Sequence, residues 1–262
     1  MSKKAIISIL AFTILGCNVS ITPQPVPINY DETASRATQI AILTTTTQTV
    51  TPPASAVEPF NNLETQVLFR DDFDRQLKSD WVWINEKTEN WSLESKLGFL
   101  EINAINGYFN LANASNILLY DAPQNNFIIE TSFIFDPDAS DQFAGLIALD
   151  SNQNFIQAGI GYCSTSVGCV GRGLYVDVYE NGNLILPRNN TQYVDNSLFI
   201  RLMFKDGFVS LFISQDKFSW FRMFEKEIQF NISRVGLIAA QNNDIEPIRA
   251  SFDYFEISLI NP

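Results

Sequence analysis

The sequence predicts an all-β sandwich or barrel for residues 63–262, on three observations. Short runs rich in β-branched and aromatic residues recur through this stretch, among them FIIETSFIF, FIQAGIGY, GLYVDVYE, LFIRLMFK and FVSLFIS. Eleven such runs are separated by Asn, Asp, Gly and Ser, and no long stretch shows the 3.6-residue period of a helix. Turns are explicit at FDPDASD (135–141), ENGN (180–183) and KDG (205–207).

The N-terminal end is of another kind. Residues 1–17, MSKKAIISILAFTILGC, open with Lys3 and Lys4, continue with an apolar run from Ala5 to Leu15 and close on Gly16–Cys17. That order is the charged, apolar and small-residue pattern of a secretory signal. The apolar run of 11 residues is too short for a membrane-spanning helix, which needs about 20. The ending ILGC resembles a bacterial lipobox, whose cysteine becomes the acylated first residue of the mature chain. Cys17 is therefore the expected lipidation site, against the alternative of an ordinary signal with an incidental cysteine. Lipid chains contribute about 0.8 kcal/mol per buried methylene, so more than one chain anchors stably. Residues 18–62 read as a disordered linker: 18–60 hold nine Thr, six Pro and only four charged residues. A coil of this length reaches about 35–40 Å, enough to hold a domain clear of a membrane. The expectation is an exported, extracytoplasmic protein, lipid-anchored to a bacterial membrane at the cell surface.

Charge and missing residue types narrow the chemistry. The chain has 17 basic and 29 acidic residues; without Lys3 and Lys4, fifteen basic residues face the same 29 acidic ones, a net charge of −14. No strongly basic run remains, so nucleic acid is not an expected partner. Histidine is absent, which excludes Ser-His-Asp and Cys-His hydrolysis and histidine acid–base chemistry. Cys163 and Cys169, in YCSTSVGCVG, are read as a disulfide stapling a short loop in an oxidising compartment. Two free thiols or half of a metal site are the alternatives, though zinc would need four ligands that the chain does not supply.

Alternation assigns faces within the predicted strands. In LYVDVYE, Leu174, Val176 and Val178 point one way and Tyr175, Asp177 and Tyr179 the other. In LFIRLMFK, Leu198, Ile200, Leu202 and Phe204 alternate with Phe199, Arg201, Met203 and Lys205. Both read as strands with one core face and one wetter face.

The ordered segments DDFD, SDWVWINEKTENWSLESKLGFLEI, NILLYDAP, FIIETSFIFDP, AGLIALDSNQNFIQAGI, LFIRLMFKDGFVSLFISQDKFSW, VGLIAA and SFDYFEI resemble a concanavalin A-like jelly roll. The resemblance is to the C-terminal domain of family-43 β-xylosidases and covers about 70–262. It implies two packed antiparallel sheets, one of them concave. In β-xylosidases the domain accompanies a five-bladed catalytic propeller. The stretch before the jelly roll is too short for one, so hydrolytic activity is not expected to carry over.

The leading binding candidates are Tyr175, Asp177 and Tyr179, which would put two stacking rings and an acceptor on one exposed face. Gln157 and Arg201 are expected on that same concave face. An ordinary solvated sheet face is the alternative. Trp81, Trp83 and Trp91 offer sugar-stacking rings or core packing. Asp72, Asp74 and Asp253 are candidate calcium ligands, as are Asp150, Asn152 and Asn154, against plain polar turns. Calcium is the one cofactor considered. For a glycosidase the carboxylates are poorly arranged: Glu86, Glu89 and Glu94 form no alternating set, Glu130 stands alone, and Asp253 and Glu256 fall on opposite faces. The five N-x-S/T sequons, Asn90 and Asn231 among them, read as incidental.

SQDKFSW (214–220) resembles a sialidase Asp-box with its glycine missing and its spacing one residue short. The reading is a hairpin turn shaped by Ser214 and Asp216 with Trp220 packed over it. In the family the residue after the aspartate is usually Gly, where this chain has Lys217. The function expected is non-catalytic binding of a polysaccharide or glycoconjugate. The alternatives are a structural or protein-interaction module of the cell envelope and a divergent carbohydrate-active enzyme using carboxylates.

Overall fold

A computed structural model describes residues 63–106, 114–164, 168–185, 190–241 and 246–261. The expected signal, Cys17 and the linker to residue 62 lie outside the described residues. Sixteen strands are described. In chain order they are β1 (Thr65–Asp71), β2 (Val82–Ile84), β3 (Trp91–Ser92), β4 (Leu100–Asn106), β5 (Ile117–Asp121), β6 (Phe127–Ile134), β7 (Gln142–Leu149) and β8 (Phe155–Cys163). There follow β9 (Gly171–Glu180), β10 (Asn183–Leu184), β11 (Thr191–Gln192), β12 (Ser197–Lys205), β13 (Phe208–Ser214), β14 (Phe221–Glu227), β15 (Arg234–Gln241) and β16 (Ile248–Ile260). A 3₁₀ turn, Thr88–Asn90, precedes β3.

The strands build a curled sandwich. One half, the front sheet, runs β14-β13-β12-β6-β16, with β1 and β4 sharing the far edge of β16. The other, the back sheet, runs β10-β9-β8-β7-β15, with β5 and β2 beyond β15. The two are not separate antiparallel sheets. β4 pairs antiparallel with β16 through Leu100–Ala104, and its end, Ile105 and Asn106, pairs in parallel with Ala240 and Gln241 of β15. The strand bridges both halves because each faces the same core.

The predicted faces are real. Leu174, Val176 and Val178 of β9 and Leu198, Ile200, Leu202 and Phe204 of β12 all enter the core between the sheets. The turns follow from chemistry as well. Asn181–Gly182 and Asp206–Gly207 have φ of 52° and 76°, and 53° and 83°, as a two-residue hairpin connection requires.

A second apolar cluster lies on the outer side of the back sheet, built around Phe143, Ile147, Phe155, Tyr175, Tyr179 and Ile238. At its centre Gly145 pairs with Gly159, where a Cβ on either residue would come within 2.2 Å of a neighbouring strand's carbonyl oxygen. The back sheet is thus buried on both faces, and β7 is buried throughout.

Candidate functional site

The alternation of β9 is as read, but the exposure is not. Tyr175, Asp177 and Tyr179 share one face, yet they are 1%, 0% and 7% exposed. The Tyr175 ring lies against Gly161, where a Cβ would sit 3.2 Å from Cδ2. Its hydroxyl donates to Gly171 O (2.5 Å) and accepts from Val170 N (3.2 Å), so the backbone leading from Cys169 into β9 is tied to it. The 163–169 loop is closed by the Cys163–Cys169 disulfide, with Cα atoms 5.1 Å apart. Tyr179 stacks on Phe155, ring centres 4.3 Å apart. Gln157 is fully buried and donates to Asp177 Oδ2 (3.3 Å) from the directly paired position on β8.

Arg201 is elsewhere. Gln157 points outward from the back sheet, because its neighbours Ile156 and Ala158 point into the core. Arg201 points outward from the front sheet, flanked by the inward Ile200 and Leu202. The whole core separates them, so the expected common face does not exist.

Asp72, Asp74 and Asp253 are not assembled into a metal-binding group. Among the described residues no three Asp, Glu, Cys or His side chains are placed to hold an ion. Asp72 pairs with Arg70 (2.6 Å), and partial burial raises the Asp253 carboxyl above its usual range. It is Asp71 that organises this corner: its buried carboxylate accepts from Phe73 N, Lys78 N and Trp81 Nε1 at 2.8–3.0 Å. Asp150 to Asn154 form a tight turn, Asp150 N donating to Asn154 O (3.0 Å). The tryptophans are packing groups. Trp81 contacts Phe69, Tyr120 and Phe255, and Trp83 stacks on Trp91 at 4.9 Å.

The front sheet carries the most chemically organised surface, and SQDKFSW builds it. Ser214 Oγ accepts from Asp216 N and Lys217 N, while Asp216 Oδ1 accepts from Phe218 N and Ser219 N at 2.7–2.8 Å. These backbone donors hold the Asp216 carboxyl at about 2. Lys217 sits at φ 67°, a left-handed conformation that costs a non-glycine residue about 1–2 kcal/mol. What it gains is reach. Its Nζ lies 3.5 Å from Glu130 Oε1 and 4.5 Å from the centre of the Tyr254 ring. Trp220 folds back, its Nε1 donating to Lys217 O (3.0 Å), and the Arg201 guanidinium lies 3.7 Å over its ring.

Glu130 is the hub. It is 3% exposed and takes hydrogen bonds from Arg201 Nε and Tyr254 Oη besides the Lys217 contact. A carboxylate this buried persists only when paired and hydrogen-bonded. Tyr254 is pushed above the phenol range by burial first and by the Glu130 charge second. Glu256, directly opposite Glu130 on β16, accepts from Arg70 Nη1 (2.8 Å) and Ser258 Oγ (3.1 Å). Burial pulls the Arg70 guanidinium down, but its pairing with Asp72 and Glu256 outweighs that and raises it. Around these groups opens a polar pocket of about 320 Å³, with Glu130, Arg201, Lys217, Trp220 and Glu256 in its walls and Phe218 at its edge. Phe218 is 81% exposed.

Residues 70–258 match the family described as the beta xylosidase C-terminal concanavalin A-like domain. The chain belongs to that family. Two similar solved structures are the GH43 protein BlXynB and a xylan beta-1,4-xylosidase. BlXynB of Bacillus licheniformis is 19% identical with a TM-score of 0.64, over 72% of this chain and 38% of that one. The xylan beta-1,4-xylosidase of Bacillus halodurans C-125 is 16% identical with a TM-score of 0.59, over 72% and 38%. The chain therefore spans about two fifths of these proteins. The CBM2 module of Lactobacillus casei BL23 phage J-1 evolved Dit is 11% identical with a TM-score of 0.55, over 76% of this chain and 98% of that one. No curated protein sequence matches.

Of the front-sheet group, sequence reasoning singled out Arg201 and the turn, and missed Glu130, Tyr254 and Glu256 as partners. The signal available was Glu130 itself: a carboxylate in the mostly apolar strand FIIETSFI needs a partner from elsewhere.

Proposed function

We propose that this family domain binds carbohydrate without hydrolysing it, on an exported protein anchored through Cys17 and spaced by residues 18–62. The observation that carries the reading is the front-sheet pocket: an exposed Phe218 ring beside a polar cavity whose charged groups are held in place. A flat ring at a rim suits the apolar face of a sugar. Fixed donors and acceptors next to it suit hydroxyls, because they need no reordering on binding.

The same pocket argues against hydrolysis. A glycosidase needs one carboxyl to deliver a proton and a second to attack or to activate water. Glu130 and Glu256 sit opposite each other, but each is engaged by an arginine and a further donor within the protein. The likeness of the fold to a xylosidase and to a CBM2 module makes a plant- or envelope-type polysaccharide the first ligand class to try.

A glycan array and affinity electrophoresis on the full chain test this. Binding that weakens about tenfold or more in Phe218→Ala, with the fold retained, is expected. No binding across a broad panel overturns the reading, and release of sugar product overturns its non-catalytic part. Palmitate labelling that persists in Cys17→Ala overturns the anchor.

A further inference from the structure

One end of the sandwich holds a cleft of about 670 Å³, walled by the β5–β6, β12–β13 and β14–β15 connections. Its size lies within the range of about 300–1,000 Å³ typical of ligand sites. The walls are tied to one another. Asn126 Nδ2 donates to Asp206 Oδ1 (3.0 Å), and Asp206 N donates back to Asn126 Oδ1 (3.1 Å). Ile228 N donates to Gly207 O (3.0 Å), and Ala122 N to Ser233 O (2.9 Å). The three loops are thereby held as one preformed rim.

The lining differs from that of the front-sheet pocket. Its charged members are Lys205 and Asp206, which offset each other, and Asp206 is already bound to Asn126. Apart from the Ser233 hydroxyl, which donates to Leu149 O (3.1 Å), the exposed polar side chains around them are carboxamides: Gln124, Asn125, Gln229 and Asn231. Each carboxamide donates and accepts in one plane, which matches adjacent hydroxyls on a sugar. Phe208, 43% exposed, presents a ring in the same cleft. The asparagine of an incidental-looking sequon, Asn231, thus has a place in a lined cavity.

We infer that this cleft is a second carbohydrate site, selective for uncharged oligosaccharides. The inference rests on the carbohydrate-binding reading and assigns that activity a separate location and ligand class. Titration calorimetry of the full chain with short neutral oligosaccharides from xylan, β-glucan and mannan, and with uronate-containing ones, tests it. Gln229→Ala and Asn231→Ala are exposed loop changes and are expected to leave the melting temperature in place. Each is expected to weaken neutral-sugar binding about tenfold, with little dependence on salt, while Phe218→Ala leaves that binding unchanged. Neutral-sugar binding intact in both cleft variants overturns the cleft, and its loss in Phe218→Ala then keeps the front-sheet reading. Binding confined to uronate-containing sugars overturns the neutral selectivity. No binding of any sugar by the wild-type chain overturns both.

Discussion

β12 on the front sheet and β9 on the back sheet carry the same alternation of apolar and polar residues, yet they end in different environments. On β12 the outward residues Phe199, Arg201, Met203 and Lys205 remain half-exposed. On β9 the outward Tyr175 and Tyr179 are part of a second apolar cluster, and Asp177 between them is fully buried. Alternation reports which residues share a face, and it does not report what covers that face. The lesson is chemical as well. A buried polar residue must find its partners inside the protein, so Asp177 sits against Gln157, whereas Arg201 can serve a buried carboxylate and still border a cavity open to ligand.

The contrast can be broken most forcefully at Arg201. Arg201→Ala leaves Glu130 buried with only Tyr254 and Lys217 beside it. Unfolding in urea should show a loss of about 3 kcal/mol, the low end for an orphaned buried charge, because those two partners remain. A loss within experimental error would mean that the front-sheet network is a surface ion pair of little consequence.

On the back sheet Tyr175→Phe should cost about 1–2 kcal/mol, because the hydroxyl satisfies Val170 N and Gly171 O just after the disulfide loop. Glycan affinity should stay unchanged in the same variant. A variant as stable as wild type that loses binding would restore Tyr175 as a contact residue and reverse the assignment of faces.

The smallest effect concerns pH. Asp216 is held at about 2, against 3.8 for the ordinary carboxyl, by the Ser219 and Phe218 backbone donors first. A depressed carboxyl contributes stability above its unfolded value and loses it as pH falls through the folded one. The SQDKFSW turn should therefore loosen between pH 3.8 and about 2, read as a change in Trp220 fluorescence. Asp216→Asn should remove that step, and an unchanged titration in the variant would count against this account of the turn.

Much of this architecture is legible in the sequence. The strand runs, the two Asx-Gly hairpin turns, the inward residues of β9 and β12, the Cys163–Cys169 staple and the Ser214–Asp216 turn all follow from local chemistry, which acts within a few residues. Lys217 stands where the resembled family usually has Gly, and the structure supplies the left-handed backbone behind that preference.

Other features are set by contacts between distant segments, and no local pattern encodes those. Glu130 meets Arg201 across 71 positions and Tyr254 across 124. β4 joins the two sheets through a parallel contact with a strand far along the chain. The sequence by itself determined which residues alternate and where the chain turns, because steric preference and hydrogen bonding are local. Only the tertiary structure decided which faces stay wet, which carboxylates acquire cations and where cavities open, because burial depends on what the rest of the chain lays on top.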